Sequence, residues 1–373
     1  MIRELSKQEA YDLVIGAKIL ANGGGGSEKQ ALNLIDEVYN MEKNFKLASL
    51  SSLKKNDLLC IIGLVGGGIS EEDKDVVKDL QSVIKNPMIS AVAVLEDYIG
   101  IQFTGFIATE LGPNNSIIPL YTAALMDRIV VDGDCCGRSK PKISISTTTV
   151  KNIPIFPFSI CSEFGDKIIV EETVDDSRGE YIARVISRFS DGHIGVARCS
   201  MTGQQAEEAI IPNTLSKAIK LGKIVREATR DNKNPIQAIL NAIPEACLVF
   251  EGKITKFNRT EEGGFTFGII ELRNDNNHFF KVFYQNEYLL TWFDKKQFIS
   301  CPDSIIIVDE KTGLGLTPWE DDFKINRKVV VLAIDAPKIW RTKRGLEVFG
   351  PKNFQKDWIS YTPATKLVSQ KSS

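Results

Sequence analysis

Histidine is nearly absent from this chain of 373 residues: His193 and His278 are the only two, and they lie far apart. A zinc centre built on imidazole ligands is therefore poorly supported, and both rings fit an ordinary surface role. Cysteine is present but without a pattern. The seven (Cys60, Cys135, Cys136, Cys161, Cys199, Cys247 and Cys301) are odd in number, scattered, and contain no CxxC pair. That argues against a disulfide framework and against a structural zinc knuckle. The adjacent Cys135 and Cys136 read as thiols. Charge of one sign is also missing: 46 basic side chains face 48 acidic ones, for a formal net charge of -2. Nothing electrostatic recommends nucleic acid or an anionic membrane as a partner. No uninterrupted apolar run reaches spanning length. The first twenty residues, "MIRELSKQEAYDLVIGAKIL", spread charges through their apolar positions and read as an amphipathic helix, not a signal peptide. The expectation is a soluble, cytoplasmic protein. Internal repeats and low-complexity segments are absent too.

What remains is an ordinary globular composition, 43% hydrophobic and 25% charged, over a length that favours two domains. Helical spacing over 7–20 (Ala10, Leu13, Val14, Ala17, Leu20) precedes a glycine run, and 27–39 reads as a second helix capped by Ser27. "DLLCIIGLVGGG" reads as a buried strand ending in Gly66 to Gly68. "SEEDKDVVKDLQSVIK" follows as a helix with Ser70 as its cap and an acidic first turn. "SAVAVLE" and "GFIATE" read as strands, "NNSIIPLYTAALM" as a helix after its proline, and "DRIVVDGD" as a strand. This alternation predicts an α/β layered domain. "EYIARVISRF" and "HIGVARCSMTG" read as a helix and a strand, and 214–243 as helical. Beyond Pro244 short strands and turn residues dominate, predicting a C-terminal β-rich domain, barrel- or sandwich-like. The expected division is 1–243, 244–362 and a frayed tail over 363–373.

Five stretches concentrate chemistry. The run Gly23, Gly24, Gly25, Gly26 follows a helix, not a strand, so it fails the dinucleotide fingerprint; "GGGGSEKQ" also lacks the GK[ST] ending of a phosphate loop. Two readings stay open: a loop whose backbone N–H groups approach an anion or carbonyl closely, or a plain helix–helix linker. Gly66 to Gly68 follow a buried strand, the usual place for a ligand in an open α/β sheet, though a tight turn explains them nearly as well. In "ATELGPNNSIIPL", Glu110, Asn114, Asn115 and Ser116 exceed what one helix cap requires. "VVDGDCCGRSKP" is densest. Asp132 and Asp134 end an apolar strand and can act as base and acid or hold a divalent cation such as zinc. A thiol of Cys135 or Cys136 near Arg138 offers a nucleophile or soft metal ligand. The alternative is an Asp-Gly turn that satisfies its own backbone. In "FYQNEYLL", strand alternation would send Asn286 to one face and Gln285 and Glu287 to the other.

These motifs together make the chain resemble the S-methyl thiohydantoin desulfurase family. The matching stretches are "ANGGGGSE", "ELGPNNSIIPLYTA", "VVDGDCCGRSKP", "TLSKAIKLGK", "FEGKITKFNRTEEGGFTFG", "YQNEYLL", "CPDSIIIVDEKTG" and "RTKRGLEVFGPKNF". They run in family order from about residue 8 to about residue 355. The resemblance implies an α/β layered N-terminal domain, a β-rich C-terminal domain and a ligand site at their junction. It implies hydrolysis of an S-methylated thiohydantoin or related hydantoin, with water added and thiolate lost. It also implies company with hydantoinase and oxoprolinase-type enzymes. On that reading Asp132 or Asp134 is the base, Glu110 belongs to the same catalytic group, and Arg138 binds a substrate carboxylate or orients the aspartates. Gly23 to Gly26 with Asn114, Asn115, Asn286 and Glu287 hold the cyclic substrate. Two alternatives stand beside it: a covalent route through Cys135 or Cys136, and a non-catalytic, metabolite-binding partner of a hydantoinase-type protein. A homo-oligomer is compatible with either. The chain departs from the family pattern at Cys135–Cys136, at Lys142, where an acidic residue is usual, and at Asn22, where threonine is common.

Overall fold

The computed structural model describes residues 1–66, 71–262, 265–318, 320–354 and 358–372. In chain order the first part comprises β1 (Ile2–Leu5), α1 (Lys7–Leu20), α2 (Glu28–Asn40), β2 (Phe45–Ala48), β3 (Leu58–Gly66), α3 (Glu71–Val77), α4 (Pro87–Ile99), β4 (Gly105–Ala108), α5 (Ile117–Met126) and β5 (Ile129–Asp134). It continues with α6 (Thr147–Val150), β6 (Phe158–Cys161), β7 (Lys167–Val170), α7 (Asp176–Arg188), β8 (His193–Thr202), α8 (Gly203–Ala209), β9 (Ile211–Pro212), α9 (Thr214–Arg230) and α10 (Pro235–Ala242). Its strands form one mixed sheet in the order β1-β2-β5-β4-β3-β8-β6-β7, with β9 against β5. The centre, β2-β5-β4-β3, is parallel and the flanks are antiparallel.

The central strands are apolar on both faces because both faces are covered. Cys60 and Ile62 of β3, Phe106 of β4 and Val130 of β5 pack under the helices on one side. Their neighbours Leu59, Ile61, Ile107 and Val131 pack into a second core on the other. Successive side chains of a strand point to opposite faces, so one short apolar run feeds two cores. On the first side α1 and α9 touch backbone to backbone. A Cβ added at Gly16 would lie 1.8 Å from the Ala218 carbonyl oxygen, and one at Gly222 would lie 1.8 Å from that of Asp12. Arg226 clamps the same crossing through two bonds to the buried Asp12 carboxylate, at 2.6 and 3.0 Å.

The second part is an antiparallel, half-barrel-like sheet: β10 (Ala246–Glu262), β11 (Phe265–Arg273), β12 (Phe279–Gln285), β13 (Glu287–Phe293), β14 (Lys296–Ser300), β15 (Ser304–Asp309) and β16 (Lys328–Ile334). Their order is β14-β13-β12-β11-β10-β16-β15. Two helices follow, α11 (Lys343–Phe349) and α12 (Ala364–Ser372). An α/β domain followed by a β-rich domain is thus the architecture, as the alternation of sequence patterns predicts.

Several local expectations differ. "SAVAVLE" lies inside α4, not in a strand. Pro87 opens that helix and Gly100 closes it in the left-handed conformation, and between them Ala91, Val92 and Leu95 have the spacing of one buried helix face. Helix α3 stops at Val77, short of the predicted end, and its expected cap Ser70, with Gly67 and Gly68, lies outside the described residues. Helix α5 begins at Ile117, before Pro119, which sits in the first turn where a missing N–H costs nothing. "FYQNEYLL" is two strands, not one. The chain reverses at Asn286, whose φ is 59°, and Gln285 pairs with Glu287 across the turn. The expected frayed tail is α12. The buried Asp303 carboxylate holds its start, accepting bonds from Ala364 N at 2.7 Å, Ala336 N at 2.8 Å and the Tyr361 hydroxyl at 2.7 Å.

The α1–α9 contact gives a direct test. Gly222→Ala forces two backbones apart and is expected to cost about 1–3 kcal/mol, read as a lower urea midpoint at unchanged slope.

Candidate functional site

The parallel strands β3, β4 and β5 end at one edge of the first sheet, the place where open α/β sheets bind ligands. A cavity of about 500 Å³ opens there. Leu64 to Gly66 come from the end of β3, Thr109 and Glu110 follow β4, and Lys140 to Ile143 follow β5. Asn114 and Asn115 precede α5, Gly25 to Ser27 and Gln30 come from the start of α2, and Arg184 and His193 close one side. Asn286 and Glu287, from the β12–β13 reversal, reach in from the second sheet. The site is therefore shared between the two domains.

The glycine run makes this junction possible. Gly23, Gly25 and Gly26 have φ of 83–85°, a region that favours glycine. A Cβ at Gly24 would sit 2.0 Å from Glu287 Oε1, and one at Gly25 would sit 2.2 Å from Gly112 Cα. The loop is pinned on both sides. Asn22 O accepts from Tyr288 N at 2.8 Å, and Gly23 O accepts from the Thr317 hydroxyl at 2.7 Å. Gly25 O accepts from both Asn114 N and Asn115 N, at 2.9 and 3.1 Å. Asn22 also bonds Ile305 N through its side-chain oxygen.

Two of the carboxyl groups that line the cavity, Glu110 and Glu287, are buried. Glu110 accepts from Asn115 Nδ2 at 2.7 Å and from Lys140 N at 3.1 Å. Burial nevertheless lifts its pKa to about 7, with the nearby Lys140 charge opposing the rise. Glu287 is held well above the usual carboxylate range by burial and then by the charge of Glu110. Two such groups do not readily ionise together, so they titrate as a pair. Among the described residues three buried polar atoms of the lining have no hydrogen-bond partner: Asn114 Oδ1, Lys140 Nζ and Glu287 Oε2. Asn114 is fixed by its other end, donating to Gln30 Oε1 at 2.7 Å. Unpaired groups of this kind cost free energy unless a polar partner meets them.

Of the residues singled out in the sequence, the cavity brings together Gly25, Gly26, Glu110, Asn114, Asn115, Asn286 and Glu287. Gly23 and Gly24 lie behind it, against Tyr288 and Glu287. Asp132, Asp134, Arg138, Cys135 and Cys136 do not line it. Asp132 accepts from Ser216 N at 3.0 Å and from the Ser216 hydroxyl, and so ties β5 to the first turn of α9. Asp134 Oδ1 accepts from Cys136 N and Gly137 N, both at 2.6 Å, the alternative Asp-Gly turn role. Burial raises its pKa, against the pull of those donors. The Arg138 guanidinium is buried and donates to the carbonyls of Ser139 at 3.0 Å, Asp303 at 2.5 Å and Tyr288 at 2.6 Å. It joins the two domains and presents no free edge to the cavity. Both thiols are fully buried, and burial pushes Cys135 up to about 12 and Cys136 higher still, away from nucleophilic thiolate. Lys140, Gln30, Thr109 and Arg184 are not singled out by the sequence, and His193, which fits an ordinary surface role there, lines the cavity. Lys140 had a signal: it stands in "GRSKP", two positions beyond the motif's arginine. Among the described residues no group of three or more His, Cys, Asp or Glu side chains could hold a metal ion. The cavity instead sets an ammonium beside the carboxyl groups of Glu110 and Glu287.

Fold and site together define a two-domain α/β plus β protein with a paired-carboxyl cavity at the domain junction. Residues 8–172 match the S-Me-THD-like N-terminal domain and residues 174–364 match the S-Me-THD-like C-terminal domain. The chain belongs to the S-Me-THD-like family. A solved crystal structure of a protein from Chromobacterium violaceum shares the fold, with a TM-score of 0.78 at 21% identity, over 97% of this chain and 100% of that one. No curated protein matches the chain. Among the described residues no helix is long and apolar enough to cross a membrane.

The buried pair sets a sign for pH. In the unfolded chain Glu287 loses its proton near the ordinary 4.5, but in the folded chain it keeps it well above that value. The native state thus binds more protons over this window, and stability falls as pH rises through it. Glu287→Gln removes that penalty without breaking a bond to the carboxylate. Its thermal midpoint is expected to exceed that of the native chain above pH 7, with the gap closing at pH 4. In Gly24→Ala the new methyl meets the end of a flexible side chain and displaces the Glu287 carboxyl. Ligand affinity is expected to fall at least about tenfold, with the far-UV circular dichroism unchanged.

Proposed function

We propose that the protein is a hydrolase that adds water across the C=N bond of an S-methyl thiohydantoin, or a related small cyclic amidine, and expels the thiolate. The observation that carries this reading is the pair Glu110 and Glu287, buried in one cavity with Lys140 Nζ and Asn114 Oδ1 unpartnered beside them. Family membership supports the ring substrate. At neutral pH the pair holds one shared proton, which supplies a base and an acid together. Glu110, whose carboxylate has two donors, is the base. Glu287, whose Oε2 has none, carries the proton.

In the proposed step Glu110 takes a proton from water as the water oxygen bonds to the carbon between nitrogen and sulfur. The C=N electron pair moves onto the ring nitrogen, where the Lys140 ammonium offsets the charge. Asn114 Oδ1 accepts from a ring N–H. The C–S bond then breaks, Glu287 gives its proton to the departing sulfur, and the remaining hydroxyl proton passes to the ring nitrogen as the carbonyl forms. Water and thioether become hydantoin and methanethiol. Transfer of the Glu110 proton to Glu287 resets the pair.

The test is thiol release from an S-methyl thiohydantoin. Glu110→Gln and Glu287→Gln are each expected to lower turnover at least about a hundredfold, while Asp134→Asn and the double Cys135→Ser, Cys136→Ser chain keep the same pH profile as the parent. The profile itself is expected to be bell-shaped, with its acidic limb near pH 7, where Glu110 ionises. Thiol release that survives both glutamate substitutions would overturn the assignment.

A further inference from the structure

Arg198 is a second buried guanidinium, 3% exposed, and it stands behind the cavity wall. Its Nη2 donates to Thr109 Oγ1 at 2.8 Å, and Thr109 lines the cavity next to Glu110. Its Nη1 donates to Cys199 Sγ at 3.1 Å. Neither partner is an anion, since burial holds the Cys199 thiol above its ordinary value and a hydroxyl is neutral. The backbone is distorted around this side chain. Strand β8 slips against β3: Leu59 pairs with Met201 but Ile61 pairs with Arg198, so Cys199 and Ser200 together stand opposite Cys60. Cys199 has a φ of 52° inside a strand, a left-handed conformation that a residue with a side chain seldom adopts. A bulge of this kind re-aims a side chain beside a site. It costs free energy, as does a buried guanidinium that meets no anion.

The bond from Arg198 decides what Thr109 can do. A hydroxyl has one hydrogen to give and lone pairs to receive. The guanidinium takes a lone pair, and among the described residues nothing accepts the Thr109 hydrogen. That hydrogen is free for the cavity, and a hydroxyl that accepts from a cation is a stronger donor. It calls for an acceptor oxygen. The proposed reaction makes one. When water adds to the carbon between nitrogen and sulfur, the C=N electron pair moves to a nitrogen that adjoins a ring carbonyl. Conjugation carries part of that charge to the carbonyl oxygen, which becomes a better acceptor as the water adds. A fixed donor at that oxygen therefore holds the transition state more strongly than the ground state.

We propose that Thr109 donates its hydroxyl hydrogen bond to the ring carbonyl oxygen of the substrate, and that Arg198 is a positioning residue that holds and polarises this hydroxyl. No proton changes hands in the contact: the Thr109 hydrogen stays on its oxygen while negative charge builds and decays on the carbonyl. The inference rests on the ring reading above, and the test separates the two. Thr109→Val keeps the shape and removes the hydroxyl, and Thr109→Ser keeps the hydroxyl. The double Thr109→Val, Arg198→Met chain removes both partners, so that neither is left buried alone. One readout is thiol release from an S-methyl thiohydantoin. The other is the carbonyl stretch, by isotope-edited infrared spectroscopy, of bound hydantoin and of bound open-chain N-acetylurea, each labelled at its carbonyl carbon. Thr109→Val is expected to lower kcat about a hundredfold with KM held within about threefold, and to raise the frequency of the bound carbonyl. The double variant is expected to do the same, and Thr109→Ser to regain at least about tenfold in kcat over Thr109→Val. A packing role predicts the opposite order, with valine tolerated and serine harmful. If the hydantoin band rises in both valine variants but the native chain releases no thiol, the donor stands and the hydrolase reading falls. If only N-acetylurea binds, and its band rises in both valine variants, the donor stands and the ring reading falls. If the bands are unchanged in the valine variants, or neither probe binds the native chain, the donor is overturned.

Discussion

The loop from Asn22 to Gly26 is the constraint on which the arrangement depends. It is gripped by the second sheet through Tyr288, Ile305 and Thr317, and by the first domain through Asn114 and Asn115. Each grip uses a backbone carbonyl or a short amide side chain, so at this loop the two domains approach each other closely. Three positive φ angles and the absent Cβ atoms are what permit that approach. Because the loop is thin, Glu287 on one domain comes within electrostatic reach of Glu110 on the other. A bulkier loop would separate the two carboxyl groups and remove the contribution of Glu110 to the raised pKa of Glu287, leaving burial as its cause.

The charged residues of the β5 turn serve this geometry from behind. Asp134 closes the turn on its own backbone, Asp132 fastens the start of α9, and Arg138 draws the carbonyls of Tyr288 and Asp303 toward Ser139. Asp303 in turn collects Tyr361 and the first residue of α12. Buried charges of this kind are tolerated because each is met by several donors or acceptors. The cavity groups are left partly unmet: Lys140 Nζ, Glu287 Oε2 and Asn114 Oδ1 find no partner among the described residues. Scaffold and site are made of the same residue types; Asp134 Oδ2 is also without a partner among the described residues, so what sets the site apart is that its unpartnered groups line the cavity.

That difference marks the limit of what a sequence discloses. The two-layer alternation, the helix 7–20, the helical stretch 214–243 (which divides into α9 and α10), the strand ending at Asp134 and the β-rich second part are set by local spacing of apolar residues and are legible as such. So is the concentration of polar groups in "ATELGPNNS", since no single helix cap requires so many. The strand "SAVAVLE" was misjudged because a short apolar run fits either period, and the helix was decided by Pro87, Gly100 and the core beneath. "FYQNEYLL" was read as continuous because its reversal turns on one left-handed Asn286, held by Thr266 from the neighbouring strand.

By itself, then, the sequence determined the order and type of most elements, the glycine junction, and the family to which they add up. Tertiary structure alone decided which acids face the cavity. Asp132 and Asp134 look as promising in one dimension as Glu110 and Glu287, but a carboxylate becomes reactive or inert through burial and partners. Asp132 is met by Ser216, 84 positions away, and Asp134 by the backbone of its own turn, whereas Glu110 and Glu287 meet only when the two sheets close on the same loop.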